Sequence, residues 1–399
     1  MKWEKKTLDE LGTVGRGRSK HRPRNDPKLF GGKYPFIQTA DVKNANFYII
    51  NFSSTYNEEG LAQSKLWPAG TLCITIAANI ADTGILAIPA CFPDSIMGFV
   101  ANEKIADTRF VKYCFDVLQK ECKQISQGTA QDNLSWEKLS TIKFLVPPLQ
   151  TQKRIASILS AYDDIIENNQ KQIKLLEEAA QRLYKEWFVD LRFPGHESVK
   201  IVDGVPEGWK IKKIEELADT MSGGTPTRSH EEYYSSGEIL WLKTKELNDG
   251  FIFDTEEKIT EAGLKNSSAK LFEKGCIILA MYGATIGRLG ISSVTMCCNQ
   301  ACCVLKIKEI FLFEYVYLWL VNNREMLISR GRGSAQSNLS QELIKQIEVR
   351  IPSDGVLIKF SNVVDKLLKN KEILEKQISS LREARDRLLP KLMSGEIEV

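Results

Sequence analysis

Two stretches of the chain, residues 151–190 and 354–394, carry apolar residues at steps of three and four, with charged residues on the other faces. This spacing is typical of helices that present a coiled-coil seam. The predicted seam positions are Ile155, Ile158, Ile165, Leu176, Leu183, Trp187, Phe360, Val363, Leu367, Leu374, Leu381 and Leu388. A four–four step around Asn169 predicts a stutter, which would locally unwind the supercoil.

The remaining apolar residues form shorter patterns. Runs at residues 71–77 and 276–280, bounded by Gly and Pro, predict buried strands. Residues 110–125 and 312–328 predict helices. Strands and helices do not alternate regularly, so the expected fold class is α+β rather than a doubly wound sheet.

The chain contains an internal repeat. Residues 128–135, Gly-Thr-Ala-Gln-Asp-Asn-Leu-Ser, recur at 333–340 as Gly-Ser-Ala-Gln-Ser-Asn-Leu-Ser, an offset of 205 residues. The same offset carries residues 36–39 onto 241–244 and residues 171–173 onto 376–378. One offset shared by distant segments indicates two homologous halves in tandem.

The repeat and the two helices give a domain plan. We expect two homologous mixed α/β domains at residues 1–150 and 209–353, each followed by a helix, at 151–190 and 354–394, with a linker at 191–208. A helix of about 35 to 40 residues extends roughly 55 Å, too long to pack on its own domain alone. The two long helices are therefore expected to form an antiparallel coiled coil, with the domains related by a pseudo-twofold axis.

Composition adds only broad limits. The chain has 399 residues, 43% of them hydrophobic and 26% charged, with a net charge of +3. No signal-like start and no apolar run of roughly 20 residues is seen, so we expect a cytoplasmic protein without membrane contact. Nine scattered cysteines suggest buried free thiols. The cysteine cluster at residues 297–303 leaves a zinc site open as an alternative to a buried strand.

The charge is uneven along the chain. Six basic residues crowd a loop, residues 16–28, that contains one acid, Asp26. Its basic residues are Arg16, Arg18, Lys20, Arg22, Arg24 and Lys28. A basic loop of this kind suits contact with nucleic-acid phosphates, while a solvated surface loop is the alternative.

Three motifs resemble those of a known family. Residues 146–150, Val-Pro-Pro-Leu-Gln, with the helix start at 152–159, resemble the opening of the central helix of type I restriction–modification specificity subunits. Residues 187–195, Trp-Phe-Val-Asp-Leu-Arg-Phe-Pro-Gly, resemble the exit of that helix, and residues 381–397 resemble the family's C-terminal ending. The second helix departs from the pattern, since residues 352–355 read Pro-Ser-Asp-Gly.

The resemblance implies a role and partners. Each mixed domain would be a target recognition domain that reads half of a bipartite, asymmetric site in double-stranded DNA. The helices would set the spacer and dock two methyltransferase subunits, and two motor–nuclease restriction subunits would join the full complex. No cofactor is expected in this chain, whereas the partner subunits would use S-adenosylmethionine, ATP and Mg²⁺. Alternatives are the specificity subunit of a modification-only methyltransferase and a two-domain protein-interaction scaffold.

The sequence offers no complete catalytic constellation, so we expect a non-catalytic subunit without catalytic or metal-binding residues. Residues 283–288 lack the spacing and the Lys-Ser/Thr pair of a phosphate-binding loop. The best enzymatic alternative is a nuclease built on Asp94, Glu121 and Lys123, because carboxylates and a lysine can hold Mg²⁺ and activate water.

Candidate DNA contacts follow from side-chain chemistry, since Gln and Asn suit adenine and Arg suits guanine or phosphate. For the glutamines, bracing of a loop is the alternative to base contact. The candidates are Arg16, Arg18, Lys20, Arg22, Arg24, Thr39, Gln131, Asn133, Thr225, Thr227, Arg228, Lys243, Lys245, Tyr282, Arg288, Arg330, Arg332, Gln336 and Asn338.

Overall fold

The computed structural model describes residues 3–76, 82–125, 136–332 and 338–399. Contacts within the chain divide it into two units, residues 1–168 with 378–399, and residues 169–377. Each unit thus contains one mixed domain together with segments of both long helices.

The first unit has short strands and helices before the long helix. Its strands are β1 (Glu4–Lys6), β2 (Gly12–Arg16), β3 (Phe30–Phe36), β4 (Tyr48–Ile49), β5 (Ser54–Tyr56), β6 (Leu72–Thr75), β7 (Thr83–Leu86), β8 (Ile96–Ala101) and β9 (Phe144–Val146). Its helices are α1 (Leu8–Leu11), α2 (Thr39–Asn44), α3 (Glu58–Ala62), α4 (Thr108–Ile125), α5 (Trp136–Thr141) and the first part of α6 (Leu149–Tyr184).

A five-stranded sheet with the order β2-β8-β6-β7-β4 forms the centre of the first unit. Only β4 and β7 pair in parallel; the other neighbours in this sheet are antiparallel. Strands β3 and β5 form a separate pair, as do β1 and β9. Phe99 of the sheet, Phe110 of α4 and Leu159 of α6 belong to one buried cluster, so the sheet, α4 and the long helix share a core.

The second unit repeats this plan. Its strands are β10 (Ile201–Val202), β11 (Val205–Pro206), β12 (Lys210–Lys213), β13 (Ala218–Ser222), β14 (Ile239–Leu242), β15 (Gly250–Ile252), β16 (Lys258–Ile259), β17 (Ile277–Ala280), β18 (Leu289–Ser292), β19 (Cys297–Cys298), β20 (Cys302–Ile307) and β21 (Glu348–Ile351). Its helices are α7 (Ile214–Leu217), α8 (Glu261–Lys265), α9 (Phe313–Asn322), α10 (Arg324–Arg332), α11 (Gln341–Lys345) and most of α12 (Asp354–Ser394).

The central sheet of the second unit has the order β13-β20-β17-β18-β15, again with one parallel pair at the end. Leu72 and Ile277, the first residues of β6 and β17, lie 205 residues apart, which is the offset of the sequence repeat. Both domains therefore have one topology, and the predicted α+β class with two homologous mixed domains is confirmed.

The helix predicted at residues 312–328 is two helices, α9 and α10, with a break at Asn323. The side-chain amide of Asn323 donates a hydrogen bond to the carbonyl of Trp319 at 2.8 Å. This bond caps the last turn of α9 and competes with continuation of the helix.

In each unit α6 and α12 pair antiparallel. In the first unit Asp163 contacts Arg385, while in the second unit Asn169 contacts Gln377 and Glu177 contacts Lys371, so the numbers rise on one helix as they fall on the other. Directly after α6, residues Lys185–Val189 form a short π-helix, in which Trp187 and Phe188 are buried. The predicted antiparallel helix pairing is thus present within each unit.

The buried stripe of α6 differs from the predicted seam by one residue at several positions. Ala156, Leu159, Asp163 and Ile166 are buried at alternating steps of three and four, whereas Ile158 and Ile165 are exposed. On α12, Val364 is buried and Val363 is exposed. The prediction of Ile158, Ile165 and Val363 as seam residues was therefore wrong. The prediction chose the most apolar residue near each position. In the structure, the carboxylate of Asp163, which is paired with Arg385, occupies one of the seam positions.

The remaining predicted seam residues face the interior to different extents. Ile155, Trp187 and Phe360 are buried, and the half-buried ones are Leu176, Leu183, Leu367, Leu374, Leu381 and Leu388. Ile166, Ile173 and Ala180 follow one another at seven-residue intervals and all face inward. This spacing keeps the heptad through Asn169, so the predicted stutter is absent. Within the described ranges, no helix combines the length and apolar character that a membrane crossing requires.

The corrected seam predicts opposite outcomes for two adjacent residues. Ile166 is 3% exposed and Ile165 is 48% exposed. We expect Ile166→Ala to lower the free energy of unfolding by about 2–5 kcal/mol, because it leaves a cavity in the seam. Ile165→Ala should change it by no more than about 0.5 kcal/mol. Urea denaturation of both variants measures the difference, and equal losses would contradict the corrected seam.

Candidate nucleic-acid interface

In the first unit, the chain leaving β2 packs against a turn, residues 92–96, which we call the Asp94 turn. The amide of Gly17 donates to the carbonyl of Ile96 at 2.9 Å, and that of Arg18 donates to the carbonyl of Phe92 at 3.0 Å. A Cβ atom on Gly17 would lie 2.2 Å from the carbonyl oxygen of Pro93, so this approach requires glycine. The start of the basic loop is thereby fixed to the turn.

Two arginines of the basic loop meet at this turn. The Nε of Arg16 donates to the carbonyl of Asp94 at 2.5 Å, and the Arg24 guanidinium contacts the Asp94 carboxylate at 2.6 Å. Arg22 instead donates to the carbonyls of Ser19 and His21. These contacts hold the loop as a defined structure rather than a loose surface segment.

Other groups set the charge that the loop presents. His21 contacts Asp26 at 2.8 Å, and this hydrogen bond lowers the pKa of the Asp26 carboxyl, which remains charged. Lys28 lies 3.5 Å from the same carboxylate. Arg18 and Lys20 are exposed, and their side chains make no ion pair within the described ranges. Arg16 and Arg22 are held by backbone carbonyls, so Arg18 and Lys20 are the cations of the loop whose exposed side chains are most accessible to a ligand.

In the second unit, the equivalent turn at residues 298–302, here called the Gln300 turn, holds the chain leaving β13. The amide of Gly224 donates to the carbonyl of Cys298 at 2.9 Å, and a Cβ on Gly223 would lie 2.0 Å from that oxygen. The Thr225 hydroxyl donates to the side-chain oxygen of Gln300, and the Tyr282 hydroxyl donates to its backbone carbonyl. Two predicted residues, Thr225 and Tyr282, are thus brought together.

A second cluster lies beside this turn. Arg228 contacts the Glu257 carboxylate at 2.7 Å and lies over the ring of Trp241, with its guanidinium carbon 5.0 Å from the ring centroid. Lys243 contacts the same carboxylate, and the two cations lower its pKa. Lys245 pairs with Glu256. Arg228 and Lys243 therefore share one carboxylate and Lys245 has its own, so all three predicted contacts are engaged in ion pairs within the unit.

The other predicted residues are spread around these clusters. Arg288 and Arg330 are exposed, Thr227 is exposed beside Arg228, and Asn338 is half-buried. The amide of Leu339, next to Asn338, donates to the carbonyl of Met281 at 2.8 Å, which places Asn338 near Tyr282. Thr39 is half-buried at the start of α2, where no contact joins it to the Asp94 turn among the described residues. Gln131, Asn133, Gln336 and the side chain of Arg332 lie outside the described residues.

The sequence prediction missed the two turns on which these clusters are built. Asp94 entered it only as a nuclease candidate, and Gln300 was not proposed as a contact. The repeat offset carries Asp94 onto Asn299, the neighbour of Gln300, so the correspondence was visible in the sequence. In both units this turn contacts the loop that leaves the first strand of the central sheet, β2 or β13, and we call that loop the strand-exit loop.

The two turns offer different chemistry. The first presents exposed cations that suit phosphate oxygens. The second presents Gln300, whose side chain is exposed and carries an amide that can donate and accept, the arrangement that pairs with adenine. Tyr282 and Thr225 orient that glutamine from two sides.

Among the described residues, neither the nuclease candidate nor the cysteine cluster at residues 297–303 forms a catalytic or metal-binding arrangement. Asp94 is paired with Arg24, and the side chains of Glu121 and Lys123 lie outside the described part of the chain. Every cysteine whose side chain the structure describes is a buried free thiol. Burial raises the pKa of Cys297 and of Cys303 to about 12, so both thiols are protonated in this structure. No group of three or more His, Cys, Asp or Glu in the described ranges could hold a metal ion.

Two curated relatives resemble this chain along nearly its whole length. The "Type I restriction enzyme MjaIX specificity subunit" of Methanocaldococcus jannaschii is 26% identical over 100% of this chain and 94% of its own length. The "Type I restriction enzyme HindI specificity subunit" of Haemophilus influenzae is 24% identical over 91% of this chain and 94% of its own.

The fold is also found in a solved structure. The crystal structure of the type I restriction–modification system S subunit from M. genitalium superposes with a TM-score of 0.62 at 18% sequence identity, covering 98% of this chain and 96% of that one. At this identity the likeness concerns the fold. It agrees with the α+β class and the long helices described above.

The family is shown by the sequence itself. The profile described as "Type I restriction modification DNA specificity domain" matches this chain twice, over residues 1–178 and 206–382, once for each half of the repeat. The resemblance carried by the helix motifs is thereby confirmed. With both halves matched and the relatives aligned from end to end, the chain belongs to the family of type I restriction–modification DNA specificity subunits.

Proposed function

We propose that this specificity subunit reads a bipartite, asymmetric DNA site, one half-site with each recognition domain, and that the length of its helices sets the spacer. The observation that carries the proposal is the repeated turn. In each unit the same turn fixes the loop that leaves the first strand of the sheet, yet the exposed side chains differ. Two platforms of one design with different chemistry suit two different half-sites.

In DNA-binding proteins, phosphate contacts position the protein on the duplex and base contacts provide sequence specificity. We assign these two roles to the two clusters. Arg18 and Lys20 suit the DNA backbone in the first half-site. Gln300, held by Thr225 and Tyr282, suits a base edge in the second half-site. Arg228 and Lys243 would need to exchange Glu257 for DNA in order to contact it.

The chemistry of the complex would belong to its partners. In this proposal the chain has no catalytic activity, and it acts in the cytoplasm with two methyltransferase subunits and, in the full complex, two motor–nuclease subunits. Those subunits would supply S-adenosylmethionine, ATP and Mg²⁺. The commitment of Asp94 to Arg24 and the buried, protonated thiols support this assignment.

A groove on the helix pair of the second unit suits a methyltransferase subunit. Leu175 of α6 and Ile373 of α12 line a groove of about 450 Å³ and are 64% and 55% exposed. Leu176 and Leu374 form part of its lining. Paired apolar residues on adjoining helices form a continuous exposed patch, which is typical of a protein interface. In the proposed complex the specificity subunit must bind a methyltransferase subunit, so we assign the groove to the methyltransferase.

The function is tested by sequencing the methylated bases in DNA of cells that express this chain with its methyltransferase partner. We expect one asymmetric bipartite motif, and no methylation when either subunit is expressed alone. Four residues inserted between Ile166 and Lys171 extend α6 by about 6 Å, or one to two base pairs at 3.4 Å each. The insertion should lengthen the spacer and leave both half-sites unchanged.

A matched control inserts the same four residues between Asp203 and Gly204, in the exposed turn of the β10–β11 hairpin. This variant has the same chain length but an unchanged helix, so its spacer should equal that of the wild type. A longer spacer in the control, or an altered half-site in the helix variant, would show that the helix does not set the spacing.

Neutralising the free cations of the basic loop should weaken binding to every DNA sequence. Each phosphate contact releases counterions, so the double variant Arg18→Ala with Lys20→Ala should reduce the salt slope of binding by about two. Titrations of the methyltransferase complex with DNA at several salt concentrations measure this slope. Lys104→Ala, which removes an exposed lysine outside the loop, should have no effect. An unchanged slope in the double variant would remove the basic loop from the interface.

Polar substitution of the groove should weaken assembly rather than folding. We expect Leu175→Ser with Ile373→Ser to raise the Kd for the methyltransferase subunit by about tenfold or more, because two anchors are lost from an apolar contact. Isothermal titration measures the Kd. Ile358→Ser, at another exposed position of α12, serves as a control. Normal assembly of the double variant would exclude the groove as the docking site.

A further inference from the structure

One lysine lies buried in the helix pair of the second unit. Lys371 of α12 occupies a seam position and is 2% exposed. Its ammonium nitrogen lies 2.6 Å from the Glu177 carboxylate, 3.7 Å from the Glu375 carboxylate and 2.6 Å from the backbone carbonyl of Asp249. We call these four residues the Lys371 cluster. It joins α6, α12 and the loop before β15.

A buried ammonium requires an explanation, because an apolar side chain at such a seam position costs less desolvation. Burial alone would lower the pKa of Lys371, but Tyr317, Glu375 and Glu177 outweigh it, so that the pKa lies above its usual value. The lysine is therefore charged. A leucine could fill the seam, but it could not donate a hydrogen bond to the Asp249 carbonyl.

Asp249 connects this lysine to the recognition domain. Its carbonyl also accepts a hydrogen bond from the Tyr317 hydroxyl at 2.8 Å. Its carboxylate accepts from the Leu289 amide at 3.0 Å and from the Arg324 guanidinium at 2.6 Å. Glu375 accepts from the Phe251 amide at 2.7 Å. Two adjacent strands of the central sheet, β15 and β18, are thus tied to the helix pair near their ends.

The connection extends to the candidate interface. The Nε of Arg324 donates to the carbonyl of Gly287 at 3.0 Å, and Gly287 has a φ of +81°. Gly287 is flanked by Arg288 and belongs to the loop that begins at Tyr282, the residue bonded to the Gln300 turn. A continuous set of hydrogen bonds therefore runs from α12 through Asp249 and Arg324 to this loop.

We propose that Lys371 is a positioning residue for recognition: through Asp249 and Arg324 it orients the 282–288 loop on the helix pair and so sets discrimination at the second half-site without touching DNA. The proposal rests on the proposed function. The first unit uses different groups, since Asp163 there accepts a hydrogen bond from Tyr113 at 2.5 Å and pairs with Arg385. The two attachments can therefore be broken separately.

The experiment uses the reconstituted complex with its methyltransferase and DNA carrying each single-base change in either half-site. For Lys371→Met and Arg324→Gln we expect discrimination at the second half-site, taken as the kcat/KM ratio of cognate to altered DNA, to fall about tenfold. Discrimination at the first half-site should be unchanged. Lys371→Arg keeps the charge and a donor, so it should restore most of the second half-site discrimination.

Two controls separate positioning from general damage. Lys369→Met removes an exposed lysine of the same helix that pairs with Asp365, and Tyr113→Phe breaks the attachment in the first unit; both should leave the second half-site unaffected. If Lys371→Met does not assemble, Arg324→Gln decides, because Arg324 lies outside the helix pair. The proposal is overturned if the assembled variants retain second half-site discrimination or lose it equally at both half-sites. A wild-type complex that recognises no bipartite site would refute the proposed function instead.

Discussion

One buried charged residue in each unit, Asp163 in the first and Lys371 in the second, holds the helix pair in register through a partly exposed partner on the other helix, and the mixed domains are attached to those pairs. A carboxylate or ammonium in a helix seam is costly unless its counter-charge lies opposite, and breaking such a pair costs several kcal/mol. Asp163 meets Arg385 in one unit and Glu177 meets Lys371 in the other. A shift of either helix by one turn would separate both partners of a pair, whereas a purely apolar seam would tolerate such a shift far better.

The same charged groups also attach the mixed domains. Asp163 binds Tyr113 of α4, and Lys371 binds the carbonyl of Asp249, so a single buried residue serves both helix pairing and domain attachment. Burial of apolar side chains supplies much of the stability, but it does little to fix the orientation of one element on another, because its free energy is non-directional and roughly proportional to the buried area. Hydrogen bonds to a buried charge supply the direction. In the function we propose, two loops contact one duplex, and that arrangement needs both kinds of interaction.

The sequence predicted the fold well wherever a pattern was repeated. The 205-residue offset revealed the two halves, and periodicity revealed both long helices. The exact face of those helices was not predictable by apolar spacing, because Asp163 and Lys371 occupy seam positions that the rule reserves for apolar residues. Only the partners across the helix pair explain them. The candidate interface was predicted in part: the basic loop and Tyr282 were named, but the turns that collect them are made by contacts distant in sequence, such as Arg24 with Asp94 and Thr225 with Gln300.

The glycines at the two turns have a consequence for how such a protein can change. The strand-exit loops are attached by main-chain hydrogen bonds and by the missing side chains of Gly17 and Gly223. These two attachments do not depend on the identity of the residues that follow in the loop, although Arg24 and Thr225 add side-chain contacts to their turns. Side chains beyond the glycine can therefore be replaced while the loop stays seated, so new sequence preferences can evolve on an unchanged scaffold. The glycine and its turn can therefore stay constant while the side chains of the loop diversify.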